Sequence, residues 1–314
     1  MIYKIFIDGK EGTTGLKIFE RFSSRKDIEI LLIDEDKRKD SAERKKLINS
    51  SDFTFLCLPD VASIEAVNLV TNPKTRIIDA STAHRTNDDW AYGFPELSAH
   101  HRKKIINSNR VAVPGCYASG FASLCYPLVK NGIINADYPI VCHAVSGFSG
   151  AGKKAIAQYA DENRDKQLKS PRLYALTQEH KHLPEMQKIS GLNFKPIFNP
   201  YICDFFSGMS VTISLHSRLL EKKLSAKHIC DIFKEHYSKC HFIKVAEFLG
   251  EDILSEPFIA ANNLINTNNM EIIVCGNDER IVLTSRFDNL GKGASGAAVQ
   301  CMNIMMGVNE DLGL

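Results

Sequence analysis

A chain of 314 residues is long enough for two domains or one large one. Its 44% hydrophobic and 24% charged residues are those of an ordinary globular protein, and a formal charge of +2 supplies no global field for nucleic acid or an acidic membrane surface. No apolar run reaches membrane-spanning length, "MIYKIFIDGK" meets a glycine too soon for a signal peptide, and nine scattered cysteines without paired spacing argue for a reducing cytoplasm rather than a disulfide framework.

The first apolar run, "IYKIFID", ends at Asp8 and leads into "GKEGTTGLKIFERF". Gly9, Gly12 and Gly15 are three apart, and Leu16, Phe19 and Phe22 then follow helical spacing. Glycines permit a tight strand-to-helix turn and close approach to a pyrophosphate, and the helix start offers free N–H groups to the anion. Thr13 and Thr14 within the turn, Pro59 after the third strand and Ser81 after the fourth join the glycines as cofactor-binding candidates. The spacing is not the usual G-x-G-x-x-G, so a turn that binds no nucleotide is the competing reading. Context favours the nucleotide: strand-like "IEILLID", "DFTFLCLP" and "TRIID" alternate with helix-like stretches over 41–49 and 61–69, the pattern of a parallel Rossmann sheet. Asp34 at the end of the second strand suits the ribose hydroxyl of NAD, whereas Lys37 and Arg38 suit the 2′-phosphate of NADP. The residues alone leave both open.

"DASTAHR" ends the fourth strand, where Arg85 can pair with a substrate carboxylate. "NRVAVPGCYASGF" then places Cys116 between a Pro-Gly turn and a helix carrying Tyr117, Phe121, Leu124, Cys125, Leu128 and Val129, with Asn131-Gly132 as its stop. At a helix N-terminus the dipole and the free N–H groups favour the thiolate, so Cys116 is the nucleophile candidate. Cys57, Cys125 and Cys142 read as buried small hydrophobes. In "HAVSGFSGAGKK", Ser146, Gly147, Ser149, Gly150 and Lys153 offer N–H groups, hydroxyls and positive charge to a phosphate, although a flexible turn has the same composition. In "TQEHKHLPEM", His180 and His182 share a face if the segment is extended, and Glu185 can orient an imidazole; Pro184 argues against one continuous helix. Either histidine is the acid/base candidate. Cys230, His236, Cys240 and His241 come nearest to a metal cluster, but their segment reads as an amphipathic helix, and no metal is expected. Beyond it, "SGMSVTISLHSRL", "EIIVCGN" and "RIVLTSRF" alternate as in an open antiparallel sheet. A thiolate beside a nicotinamide suits one chemistry: attack on an activated acyl group, a thioester, then hydride transfer to give an aldehyde.

"DASTAHRT", "YGFPEL", "PGCYASGF", "HAVSGFSGAGKK", "HKHLPEM" and "RFDNLGKGASGAAVQ" together resemble N-acetyl-gamma-glutamyl-phosphate reductase in its shorter, second type. Each run is weak alone; their order across most of the chain is specific. The resemblance implies NADPH-dependent reduction of N-acetyl-L-glutamyl 5-phosphate in arginine biosynthesis, and thus the Lys37 and Arg38 reading. It implies Cys116 as nucleophile, the histidine motif at His180 and His182, and Asn289 and Gly291 near the cofactor. The implied fold is that of aspartate-semialdehyde dehydrogenase: α/β, a Rossmann dinucleotide-binding domain over 1–115 with 286–314, and an α+β catalytic and oligomerisation domain with a mainly antiparallel sheet over 116–285. The implied partners are a small acyl phosphate and a second or further copies of the chain, a homodimer or homotetramer, in the cytoplasm, with no nucleic acid and no membrane. Many relatives carry asparagine where Val113 stands, which leaves oxyanion support to backbone N–H groups. The competing readings are a sister reductase of aspartyl or aminoadipyl phosphate and a non-catalytic NADPH sensor.

Overall fold

The computed structural model describes residues 2–251, 255 and 257–314. The chain divides into two compact units, 1–115 with 294–314, and 116–293. In the first, β1 (Tyr3–Asp8), β2 (Ile28–Leu31), β3 (Phe53–Leu56), β4 (Arg76–Asp79), β5 (Ala91–Tyr92) and β6 (Arg110–Ala112) form one sheet in the order β2-β1-β3-β4-β6-β5. Every pairing in it is parallel. The last four residues of β1, Ile5 to Asp8, are all buried, as a strand covered on both faces requires. Ile5 and Ile7 face one side, with Ile18 and Phe22, and Phe6 faces the other, with Leu56 and Trp90. Phe22 of α1 (Thr13–Phe22) meets Phe55 edge-on at 5.5 Å, and each buried ring contributes about 1.5–3 kcal/mol. The crossovers continue through α2 (Ser41–Ser50), α3 (Asp60–Asn68) and α4 (Ala99–Asn107). Asp40 starts α2 by accepting from the Ala42 and Glu43 N–H groups. Two-residue β5 is too short to leave a periodic signal in the sequence.

In the second unit α5 (Cys116–Lys130) begins at the candidate thiol and stops before Gly132, whose φ of +59° suits glycine. Its sheet contains β7 (Val141–Gly147), β8 (Arg172–Leu173), β9 (Ile197–Cys203), β10 (Met209–His216), β11 (Ile243–Val245), β12 (Met270–Gly276) and β13 (Arg280–Phe287), in the order β11-β12-β13-β10-β7-β9-β8. The sheet is mixed: β7 with β9 and β11 with β12 run parallel, and the other pairs antiparallel. α6 (Lys153–Ala160), α7 (Leu183–Ser190) and α8 (Ala226–Tyr237) complete the unit, and α5 packs on β10 and β13. The metal-like segment begins in α8, an amphipathic helix that buries Ile229, Cys230, Phe233 and Tyr237 and carries His236, and Cys240 and His241 follow its end. The return to the first unit comes at Ala294, not near residue 286, because β13 stays paired with β10 and β12 through Phe287. There α9 (Gly296–Met306) places Val299 and Met302 in the same core cluster as Ile5 and Phe22. No described helix is long and apolar enough to cross a membrane.

Candidate active site

In the first unit the β1–α1 turn closes through a Gly12 N–H to Gly9 carbonyl bond of 3.0 Å. Gly9 adopts a φ of +87°, and a Cβ there would strike the Cys57 carbonyl oxygen. A Cβ on Gly15 would come within 2.5 Å of the Gly9 oxygen, so the turn accepts only glycine at both positions. No side chain caps α1, which leaves the N–H groups of Thr13 and Thr14 at the helix start facing away from any cap. A cavity of about 470 Å³ opens beside this turn, lined by Gly9, Gly12, Leu31 to Ile33, Glu35, Arg38, Lys39 and Cys57 to Pro59. Lys37 does not line it. Its Nζ sits 3.0 Å from Asp34 Oδ2, which raises the pKa of the exposed ammonium. The 3₁₀ turn Glu35–Lys37 causes this by placing positions 34 and 37 on one side, and it presents Arg38 and Lys39 to the cavity instead.

Ser81 and Arg85 sit on a buried polar network. Ser81 donates through its N–H and Oγ to Asp79, which also receives the Ser63 hydroxyl and lies 2.6 Å from His84 Nδ1. These bonds outweigh burial and hold the Asp79 carboxyl below its usual range, although burial opposes them. Arg85 is buried and donates to the Val113 and Ala80 carbonyls, which braces the strand end before Pro114.

In the second unit a cavity of about 250 Å³ is lined by Cys116, Tyr117, Ser146, Gly147, Gly150, Ala151, Tyr174, His180, Lys181 and Ile202. Cys116 is partly exposed at the first residue of α5. A Cβ on Gly293 would come within 2.9 Å of the Cys116 Cβ, so the glycine-rich turn before α9 leaves room for the thiol. Burial pushes Cys125 up to about 12 and raises Cys142 further, which keeps these thiols protonated; Cys57, read from sequence as buried, is only partly so and lines the cavity of the first unit. His180 is only partly buried, and burial followed by the neighbouring Lys181 charge lowers it to about 4. Its Nδ1 accepts the His182 N–H at 3.1 Å, so the neutral ring carries its proton on Nε2. The segment is not extended: His182 is the N-cap of α7, Pro184 lies in its first turn, and Glu185 is buried there. His182 is buried beside Tyr117 and does not line the cavity. Tyr117 and Tyr174 hydrogen-bond each other, and burial raises both phenols.

The remaining candidates support the walls. Ser149 accepts from Asn289 Nδ2 at 3.0 Å, and Asn289 Oδ1 accepts the Gly208 N–H at 2.8 Å. Asn289 thus ties two turns of the second unit together, while Gly291 is packed against the Thr267 carbonyl. Lys153 begins α6 and does not line the cavity.

A family model described as semialdehyde dehydrogenase, dimerisation domain, matches residues 116–289, and one described as semialdehyde dehydrogenase, NAD binding domain, matches 14–105. The chain is 45% identical over 319 residues to N-acetyl-gamma-glutamyl-phosphate reductase 2 of Nostoc sp., covering 99% of each. It is 42% identical over 309 residues to the protein of that name from Pseudomonas putida, covering 96% of each. The chain belongs to the N-acetyl-gamma-glutamyl-phosphate reductase family. Aspartate semialdehyde dehydrogenase from Francisella tularensis shares its fold with a TM-score of 0.73 at 15% identity, over 98% of this chain and 100% of that one. The enzyme with NADP from Candida albicans gives 0.69 at 12%, over 98% and 99%.

The chain is therefore an oxidoreductase with an NAD binding domain, and the glycine cradle bordered by Arg38 and Lys39 fits a dinucleotide. Sequence reasoning missed Lys39, Tyr174, Lys181 and Ile202. Lys181 stands between the two histidines and was legible as a charge beside a candidate base; Tyr174 and Ile202 reach the cavity only through the β8–β9 pairing, which no local pattern announces.

Proposed function

We propose that Cys116 and His180 carry the NADPH-dependent reduction of N-acetyl-L-glutamyl 5-phosphate to N-acetyl-L-glutamate 5-semialdehyde and phosphate, a step of arginine biosynthesis. The observation behind this reading is that a thiol at a helix start and a neutral imidazole with a free Nε2–H line one small cavity. The Cys116 thiolate attacks the acyl carbon, the carbon–oxygen bond to phosphate breaks, and a thioester forms. The Ser146, Gly147 and Gly150 loop faces the leaving phosphate, and Lys181 offsets its charge. NADPH, when bound, supplies the hydride that reduces the thioester. His180 then hydrogen-bonds the substrate oxygen through its Nε2–H while that oxygen carries negative charge, keeping its proton; collapse of the oxyanion re-forms the carbon–oxygen double bond, breaks the carbon–sulfur bond and returns the aldehyde and the thiolate. With Val113 before Pro114, no asparagine amide stands at that position, and backbone N–H groups at the start of α5 share the oxyanion.

We place the protein in the cytoplasm as a homodimer or homotetramer; the dimerisation-domain match over 116–289 supports assembly through the second unit. The reverse reaction tests the activity. Purified protein with the semialdehyde, phosphate and NADP⁺ should form NADPH only when phosphate is present. Turnover with aspartate semialdehyde instead would move the substrate to a sister reductase, and silence with both, despite NADPH binding, would leave a sensor.

A further inference from the structure

The loop that carries His180 is held by a residue outside the cavity. Gln178 Nε2 donates to the Phe198 carbonyl and Gln178 Oε1 accepts the Phe198 N–H, both at 2.8 Å. β8 pairs with β9 at Tyr201 and Ile202 and the Tyr174 N–H reaches the Pro200 carbonyl; beyond that, at Phe198, the side-chain amide occupies the place of a neighbouring strand. The Phe198 ring is buried and packs edge-on against His180 at 5.1 Å and Tyr117 at 5.2 Å. One residue thus joins the His180 loop to the side chain that His180 leans on.

The backbone gives a second, independent sign. Gln178 has a φ of +57° and Ala175 a φ of +56°, in the left-handed region that favours glycine, and the Gln178 N–H closes a turn onto the Ala175 carbonyl at 2.9 Å. A glutamine kept where glycine would relieve the backbone points to work by its side chain. That turn also separates Tyr174 from His180, two residues lining the Cys116 cavity.

We propose that Gln178 is a positioning residue: its amide clasp on Phe198 fixes the His180 ring relative to Cys116. The proposal rests on the catalytic reading of Cys116 and His180. It requires that loss of the clasp should lower kcat and leave NADPH binding alone, since the clasp lies wholly within the second unit.

The test compares wild type, Gln178→Met, Gln178→Asn and Leu176→Ala. Methionine keeps the length without the hydrogen bonds, and asparagine tolerates the left-handed backbone but is one methylene too short for both bonds. Leu176, exposed in the same loop and outside the cavity, is the control. Each protein is measured for kcat, for NADPH affinity and for the His180 titration midpoint and tautomer by nitrogen-15 NMR. We expect kcat of both Gln178 variants to fall by about 10²-fold, the scale of an ångström-sized misplacement. NADPH affinity should hold. The His180 midpoint should rise from about 4 toward its ordinary value as the loosened loop admits water. Leu176→Ala should match wild type in all three.

An unchanged kcat in both variants, or a lowered kcat with the midpoint and tautomer of wild type, overturns the proposal. If Gln178→Met loses NADPH binding and is therefore misfolded, Gln178→Asn decides. If wild type itself turns over no acyl phosphate, the reaction reading fails, while the NMR comparison still judges the clasp.

Discussion

The His182 N–H donates to Nδ1 of His180 across 3.1 Å, and the two neighbouring histidines stand in different settings. His180 lines the thiol cavity with Nε2–H free to donate, whereas His182 is buried at the N-cap position of α7, where its side chain makes no capping bond. His180→Asn should lower kcat by about 10²–10³-fold, the usual loss for a donor to a developing oxyanion, with the fold intact by circular dichroism. His182→Gln should instead show mainly as a lower Tm. The reverse pattern would exchange their roles.

The depressed pKa of His180 also enters stability. The unfolded chain takes up this proton near the ordinary value of about 6.5, and the folded chain only at about 4, so the unfolded state binds more protons between them. The contribution is complete above that window and is lost as pH falls through it. Wild type should therefore lose more Tm on acidification across the window than His180→Asn. Equal losses would mean that the ring is not desolvated.

Arg38 and Lys39 line the nucleotide cavity, while Lys37 is turned onto Asp34. Replacing Arg38 and Lys39 with alanine should weaken NADPH by about tenfold or more, the scale of one charge-assisted contact, and NADH far less. Lys37→Ala should leave the preference intact. Direct titration of both nucleotides distinguishes the cases.

Asn289 bonds Ser149 and the Gly208 N–H inside the second unit. Asn289→Ala leaves a buried N–H without its acceptor and should cost about 1–3 kcal/mol in urea unfolding. The substrate KM should rise as the Ser146 to Gly150 loop loosens, with NADPH affinity unchanged. A selective loss of NADPH affinity would restore Asn289 to the cofactor.

The parts of this molecule legible from sequence are those fixed by neighbours along the chain. The apolar runs of β1, β3 and β4 and the glycine spacing at Gly9, Gly12 and Gly15 announce the nucleotide turn, and the Pro-Gly break announces Cys116 at a helix start. What the sequence hid depends on pairing at a distance. Tyr174, just after β8, and Ile202 of β9 come to one cavity where these strands pair, and β13 holds residues 286 and 287 in the second unit by its partners β10 and β12. The difference between Lys37 and Lys39 turns on one 3₁₀ turn, which a run of mixed charges does not specify. His180 and His182 read as equivalent on an extended segment, and the start of α7 at Leu183 makes them different.

The central claim is the Cys116 thioester. Wild type mixed with N-acetylglutamyl phosphate in the absence of NADPH, quenched and weighed by intact-protein mass spectrometry, should carry one acyl adduct on the Cys116 peptide and release an equal amount of phosphate. Cys116→Ala should do neither while still binding NADPH. Phosphate release that requires NADPH, with no adduct on Cys116 at any time, would contradict the account.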